Sequence, residues 1–143
     1  MPMLLLPPAL RSQIEQAARA AYPNECCGLI EGIAQGDTTE AHALHPARNL
    51  AHASDRFEID PADHMTAQRT ARANGNSIVG CYHSHPNGAA EPSAQDRAGA
   101  SETGFIWLIA ALAAGTPPTL KAFIFNGERF ESASLDSPRG TRV

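Results

Sequence analysis

The chain has 143 residues, of which 43% are hydrophobic and 18% are charged, and a net charge of −4 at pH 7. This length predicts one domain with its own core, and the composition is typical of a soluble globular protein. The weak negative charge and the absence of a basic cluster argue against a nucleic-acid partner or an anionic membrane surface.

The N-terminal segment MPMLLLPP has four consecutive apolar residues before two prolines and no preceding positive charge. It is therefore a poor signal peptide, and no apolar run approaches the roughly 20 residues of a membrane helix. Three cysteines, Cys26, Cys27 and Cys81, give no disulfide framework. We therefore expect a cytoplasmic protein without a membrane partner.

Hydrophobic periodicity and turn residues predict helices and strands that interleave along the chain. Pro8 begins the first helix, Asp60 caps the second, and Asn126-Gly127 forms the turn of a hairpin. In chain order the predicted elements are helix 8–21, strand 25–33, strand 38–46, loop 47–58, helix 60–75, strand 77–85, a short helix from Ser93 to about residue 101, strand 105–112, hairpin 119–133 and a loose tail over about residues 134–143. The expected fold class is α/β, with residues 1–143 forming one domain around a mixed central sheet flanked by helices.

The segment GCYHSHPNGAAEPSAQD, residues 80–96, contains two histidines one residue apart near the end of a predicted strand. Side chains at i and i+2 of a strand share a face and lie about 7 Å apart. His83 and His85 can therefore converge on one metal ion, while Ser84 faces the other way. If the loop 87–92 folds back over the strand, Asp96 supplies a third, anionic ligand.

Ser93 and Asp96 also fit a second interpretation, because S-x-x-D before a helical stretch is a capping box. Two histidines and one carboxylate leave a fourth tetrahedral position for water, which is typical of a catalytic zinc site. Such a site also needs a general base. Glu25, at the start of strand 25–33, is one candidate, although a solvated residue at a strand end is the alternative, and Glu91 is a weaker candidate.

These residues resemble a known family, the JAMM (MPN+) metalloproteases. The segment HSHPNGAAEPSAQD matches the family pattern H-[ST]-H-P-x6-S-x2-D, and PNECCGLIEG is similar to the upstream segment that carries the family's catalytic glutamate. The resemblance implies a cytidine-deaminase-like α/β sandwich and one Zn²⁺ per chain, held by His83, His85 and Asp96. It also implies that Glu25 activates the water and that Ser93 steadies the oxyanion.

The family hydrolyses peptide or isopeptide bonds at the C terminus of ubiquitin-like proteins. This chain lacks the insertions of the eukaryotic deubiquitinases and is similar to small bacterial members linked to ubiquitin-like sulfur-carrier proteins that end in Gly-Gly. The resemblance therefore implies removal of an amino acid or short peptide from such a carrier. The carrier's tail would lie as an extended strand against a sheet edge, with loop 47–58 as a wall.

Three alternatives stay open at this point. A non-catalytic scaffold of the same fold needs no metal, and an Fe(II) site also uses two histidines and one carboxylate, although not in this order. A nucleoside deaminase needs H-x-E and P-C-x-x-C, which the chain lacks. The sequence leaves the carrier, the leaving group and the oligomeric state undetermined, and it predicts that the remaining histidines, His42, His45, His52 and His64, lie on the surface or in loops.

Overall fold

The computed structural model describes residues 1–51 and 53–138. Within these ranges the elements are β1 (Met3–Leu5), α1 (Pro8–Ala21), β2 (Cys27–Gln35), β3 (Thr38–Ala47), α2 (Pro61–Ala73), β4 (Ser77–His85), α3 (Ala94–Gly99), β5 (Ile106–Ala111), β6 (Thr119–Phe125) and β7 (Phe130–Asp136). Every predicted helix and strand is present. β2 begins two residues later than predicted, and β7 ends three residues later than the predicted hairpin.

The sheet is mixed, as predicted, but it closes on itself, which the prediction of a central sheet flanked by helices did not include. The strand order is β1-β3-β2-β4-β5-β6-β7, and β1 closes the sheet by pairing in parallel with both β3 and β7. The β4–β5 pair is also parallel, and the other neighbouring strands are antiparallel. β1 was not predicted, because a strand of three residues is too short to show a periodicity.

The prediction of a loose tail over residues 134–143 was wrong for its first part. Ser134, Leu135 and Asp136 belong to β7 and pair with β1. Residues 139–143 of that tail, like His52, lie outside the described residues. That residues 1–143 form one domain stays a prediction.

The two faces of the sheet bury different clusters. On one face, Tyr82 and Leu108 pack against apolar residues of α1, including Ile14. On the other face, Cys81 and Trp107 pack near α2. His83 and His85 have the strand parity of Cys81, so they lie on the face of the sheet that packs against α2.

None of the described helices has both the length and the hydropathy of a membrane span.

One glycine of β2 lies too close to the backbone of β3 to be replaced by a residue with a side chain. Gly32 lies at an irregularity in strand pairing, where an added Cβ would stand 1.8 Å from the carbonyl oxygen of Glu40. We expect Gly32→Ala to lower the free energy of unfolding by about 3 kcal/mol or more, because a backbone atom must move. Chemical denaturation measures the change. Gly99→Ala is the control, since its Cβ would be 4.0 Å from the Trp107 ring, and equal effects of the two changes would contradict the explanation.

A buried carboxylate joins β2, β3 and the end of α2. Glu31 is 1% exposed, and its oxygens lie 2.8 Å from His45 Nε2, 3.0 Å from Asn74 Nδ2 and 2.7 Å from Asn76 Nδ2. His45 is therefore a partly buried partner of Glu31 rather than a surface histidine. Burial alone would raise the pKa of Glu31, but hydrogen bonds from Asn76, His45 and Asn74 outweigh it and lower the pKa below 4.5.

A carboxylate with a lowered pKa stabilises the fold above its unfolded pKa, and this contribution is lost as the pH falls through the folded pKa. We therefore expect Glu31→Gln to cost about 1–3 kcal/mol at pH 7 and less as the pH falls below 4.5. Urea unfolding of both proteins between pH 7 and pH 3 measures this difference. Glu131→Gln, at an exposed position of β7, is the control and should cost little at either end of the range. A cost of Glu31→Gln that stays constant with pH would contradict the ionised network.

Candidate metal centre

Three predicted ligand atoms meet at one point. The Nε2 atoms of His83 and His85 are 3.0 Å apart, and Asp96 Oδ2 lies 3.1 Å from the first and 3.0 Å from the second. All three side chains are buried. Tetrahedral zinc with bonds of about 2.0–2.2 Å holds its ligand atoms about 3.3 Å apart. The observed spacing is close to that value, so the three atoms can surround one small ion.

Asp96 serves two structural purposes at once. Its Oδ2 accepts a hydrogen bond from Ser93 N at 2.9 Å, while Ser93 Oγ accepts one from Asp96 N at 3.0 Å. This is the capping box at the start of α3. The two interpretations of S-x-x-D are therefore compatible, because the cap turns the same carboxylate toward the imidazoles.

The two histidine rings are oriented by different means. His85 Nδ1 donates to the carbonyl oxygen of Ala89 at 2.7 Å, which orients the ring so that Nε2 faces the other two ligand atoms. His83 Nδ1 is buried without a hydrogen-bond partner among the described residues. Its ring instead stacks on Phe57 at 4.4 Å and meets Trp107 edge-on at 5.7 Å.

The electrostatics of Asp96 and His83 favour the protonation states that a metal site requires. Burial raises the pKa of Asp96, but hydrogen bonds from His83 and His85 outweigh it and hold that pKa well below its usual value. Burial also lowers the pKa of His83. Asp96 is thus ionised and His83 neutral, and both states are needed for metal binding. Burial lowers the pKa of His85, but its hydrogen bonds with Asp96 and Ala89 outweigh this effect and raise that pKa, so a metal must displace a proton from His85 more often than from His83.

Glu25 lies beside the three ligand atoms. It precedes β2 rather than opening it and is 4% exposed, so it is not a solvated residue at a strand end. One carboxylate oxygen of Glu25 and one ring nitrogen from each of His83 and His85 lie within 4.8 Å of one another. Burial raises the pKa of Glu25 to about 7, His85 opposes this, and Asp96 and Asp55 add to it. Its Oε1 has no hydrogen-bond partner in the described structure.

Ser84 fixes the backbone next to Glu25. Its side chain points away from the ligand atoms, as predicted, and Oγ accepts a hydrogen bond from Cys26 N at 2.8 Å. Ser84 N also donates to Cys26 O at 3.2 Å. These bonds extend the pairing of β2 and β4 beyond Cys27 and His83. The residue between the two histidines therefore keeps Glu25 next to them.

Two cavities flank the site. One of about 360 Å³ is lined by Glu25, His85 and Ser93, together with residues of the loop at 54–55. The other, of about 260 Å³, is mostly apolar and is lined by Asp96, Trp107 and other residues that include Phe57 of the same loop. Residues of the predicted loop 47–58 therefore line both cavities.

The donor set fits a metal ion. Two imidazoles and an ionised carboxylate converge, and a second buried carboxylate beside them has an oxygen without a hydrogen-bond partner in the described structure. A closed mixed sheet with two histidines at the end of one strand and an aspartate in the following helix defines a JAB/MPN-type domain with a candidate metal centre.

Comparison with known proteins establishes the family. The chain belongs to the prokaryotic homologs of the JAB domain, whose family model matches residues 7–124. It is 34% identical over 129 residues to a desampylase of Haloferax volcanii. The aligned region covers 89% of this chain and 88% of that protein. These matches confirm the resemblance to the JAMM (MPN+) family that the sequence motifs indicated.

Solved structures agree with this assignment. A protein of Desulfitobacterium hafniense superposes with a TM-score of 0.82 at 33% identity, covering 95% of this chain and 94% of that one. A JAB1/MPN domain protein from Archaeoglobus fulgidus shares the fold with a TM-score of 0.53 at 18% identity, over 94% of this chain and 96% of that one.

Proposed function

We propose that this protein is a zinc-dependent JAMM-type metallopeptidase. It hydrolyses the peptide or isopeptide bond after the C-terminal Gly-Gly of a ubiquitin-like or sulfur-carrier protein. The observation that carries the proposal is the convergence of three ligand atoms within 3.1 Å of one another, next to Glu25, whose Oε1 has no hydrogen-bond partner in the described part of the chain. The desampylase relative supports an isopeptidase that acts on a ubiquitin-like modifier.

His83, His85 and Asp96 would hold the zinc ion. Bound there, the ion supplies a Lewis acid that polarises the scissile carbonyl and makes a nearby water more acidic. Glu25 takes a proton from the attacking water and passes it to the leaving amine. Ser93 Oγ accepts from Asp96 N, so its hydroxyl proton is free to donate to the oxyanion, the role proposed for it from the sequence.

The closed sheet limits where an extended tail can lie. β1 pairs only with Thr38, Thr39 and Glu40 of β3, so the outer edge of residues 41–47 has no strand partner in the described structure. This edge runs toward Asn49, whose side chain bonds the backbone of Glu25. It is the place we propose for the carrier tail, because an extended peptide can add to such an edge through main-chain hydrogen bonds.

The direct test uses sulfur-carrier proteins extended beyond Gly-Gly by one amino acid or a short peptide. We expect the zinc-loaded protein to remove the extension, as seen by intact mass, and a chelator to abolish cleavage until zinc is returned. A non-catalytic scaffold of the same fold, the alternative, predicts no cleavage and no retained zinc. Failure to cleave any of several carriers by zinc-loaded protein would contradict the proposal.

A further inference from the structure

The side chain of Asn49 uses its whole hydrogen-bonding capacity next to the candidate metal centre. Its Oδ1 accepts from Ala51 N at 2.9 Å and from Glu58 N at 3.0 Å. Its Nδ2 donates to the carbonyl oxygen of Glu25 at 3.0 Å and to that of Arg56 at 3.4 Å. An asparagine amide offers two acceptor sites and two donors, and all four are occupied here.

These bonds close a loop, here called the wall loop, made of residues 50–51 and 53–58. Asn49 and Ile59 form an isolated antiparallel bridge at its base, and Leu50 N donates to Glu58 O at 2.8 Å. Backbone hydrogen bonds thus join the two ends of the wall loop, and the side chain of Asn49 bonds to three residues between those ends. Of its four bonds, the one to Glu25 leaves the loop and reaches the catalytic segment.

The wall loop also contacts a metal ligand. Phe57 stacks on the ring of His83 with an angle of 24° between the ring planes. Because His83 Nδ1 has no hydrogen-bond partner in the described structure, packing on Phe57 and Trp107 holds this side of the ring, opposite the Nε2 atom that faces Asp96. A shift of the wall loop would therefore move a ring that binds the ion.

We propose that Asn49 is a positioning residue of the hydrolysis, an inference that rests on the proposed function. Its amide ties the backbone of Glu25 to the wall loop and so fixes the base and the His83 ring relative to each other. Aspartate at this position keeps both acceptors but loses both donors, including the bond to Glu25, and alanine loses all four bonds.

The activity test compares Asn49→Asp and Asn49→Ala with the wild type, with rates expressed per bound zinc. We expect kcat to fall about 10²-fold in both variants with a much smaller change in KM, because misplaced catalytic groups slow the chemical step. Asn126→Asp is the matched control. Asn126 accepts from Glu128 N and Arg129 N in the β6–β7 turn and has no bond to the site, so kcat should not change.

Two measurements are independent of activity. In the wild type, we expect the side-chain NH₂ protons of Asn49 to exchange slowly with solvent in NMR spectra, as expected for protons that are both hydrogen-bonded. In Asn49→Ala, we expect the fluorescence of Trp107, the only tryptophan of the chain, to change, because Phe57 lies edge-on to it at 5.8 Å.

The proposal would be overturned if both Asn49 variants kept kcat per zinc within twofold of the wild type. It would also be overturned by freely exchanging NH₂ protons of Asn49 in the wild type. If the wild type itself cleaves no carrier, the proposed function fails, whereas slow exchange and altered fluorescence would still show that Asn49 holds the wall loop to the Glu25 segment.

Discussion

Replacing Glu25 with glutamine is expected to lower kcat/KM by about 10²–10⁴-fold while the protein keeps its bound zinc, because loss of a general base removes that much of the rate. Glutamine has nearly the same shape as glutamate but accepts no proton at neutral pH. The side chain is 4% exposed and sits beside the ligand atoms, whereas Asp55 and Glu91, the other acidic residues that line the same cavity, are exposed.

Glu91→Gln is the matched control for this change. Glu91 lines the same cavity as Glu25 and is exposed, and the sequence left it as a weaker candidate for the base. We expect it to retain nearly full activity. Zinc content per chain, measured on the same samples, separates the possible roles of Glu25: loss of zinc from Glu25→Gln would show that Glu25 is a metal ligand and contradict its assignment as the base.

The pH dependence follows from the same carboxylate. Without an ion, burial raises the pKa of Glu25 to about 7, and a bound cation beside it would lower this value. A base must be deprotonated to act, so kcat/KM is expected to fall as the pH drops through the pKa of Glu25. The residual kcat/KM of Glu25→Gln should not show this fall at low pH.

Local signals in the sequence were sufficient to predict most of the fold. Pro8 and the segment YPN gave the bounds of α1, and the apolar run before Pro86 gave those of β4. Closure of the sheet could not be predicted in this way. It depends on pairing of Met3–Leu5 with residues 134–136, and a run of four apolar residues before two prolines is too short to show a period of its own.

The convergence of His83, His85 and Asp96 could be predicted because strand and helix geometry constrain it. The i, i+2 spacing puts two imidazoles on one face, and the capping box sets the direction of Asp96. The supporting contacts could not be predicted. The hydrogen bond between Ser84 and Cys26 joins residues 58 positions apart, and the one between Asn49 and Glu25 joins residues 24 positions apart. Hydrophobic periodicity is a local pattern and does not predict such contacts. The burial of Glu25 likewise depends on the closed tertiary structure.

Replacing Asp96 with asparagine is expected to lower zinc retention to well below one ion per chain and hydrolysis to the level of the chelated protein. The change removes the only full negative charge among the three predicted ligands. Mutation of a residue that only hydrogen-bonds to a metal ligand typically lowers metal affinity by about 10–100-fold. Loss of the charge of a ligand itself should lower the affinity at least as much. Asparagine keeps an oxygen that can accept from Ser93 N, so α3 should still be capped.

Metal analysis after gel filtration, together with cleavage assays at saturating zinc, measures both effects of Asp96→Asn. Thermal unfolding of the metal-free proteins shows whether the fold survives. Asp37→Asn makes the same charge change in the exposed turn between β2 and β3 and should leave zinc and activity intact. If Asp96→Asn retained one zinc per chain while His85→Ala lost it, Asp96 would act as a helix cap alone, and Glu25 would be the carboxylate nearest to completing the ligand set.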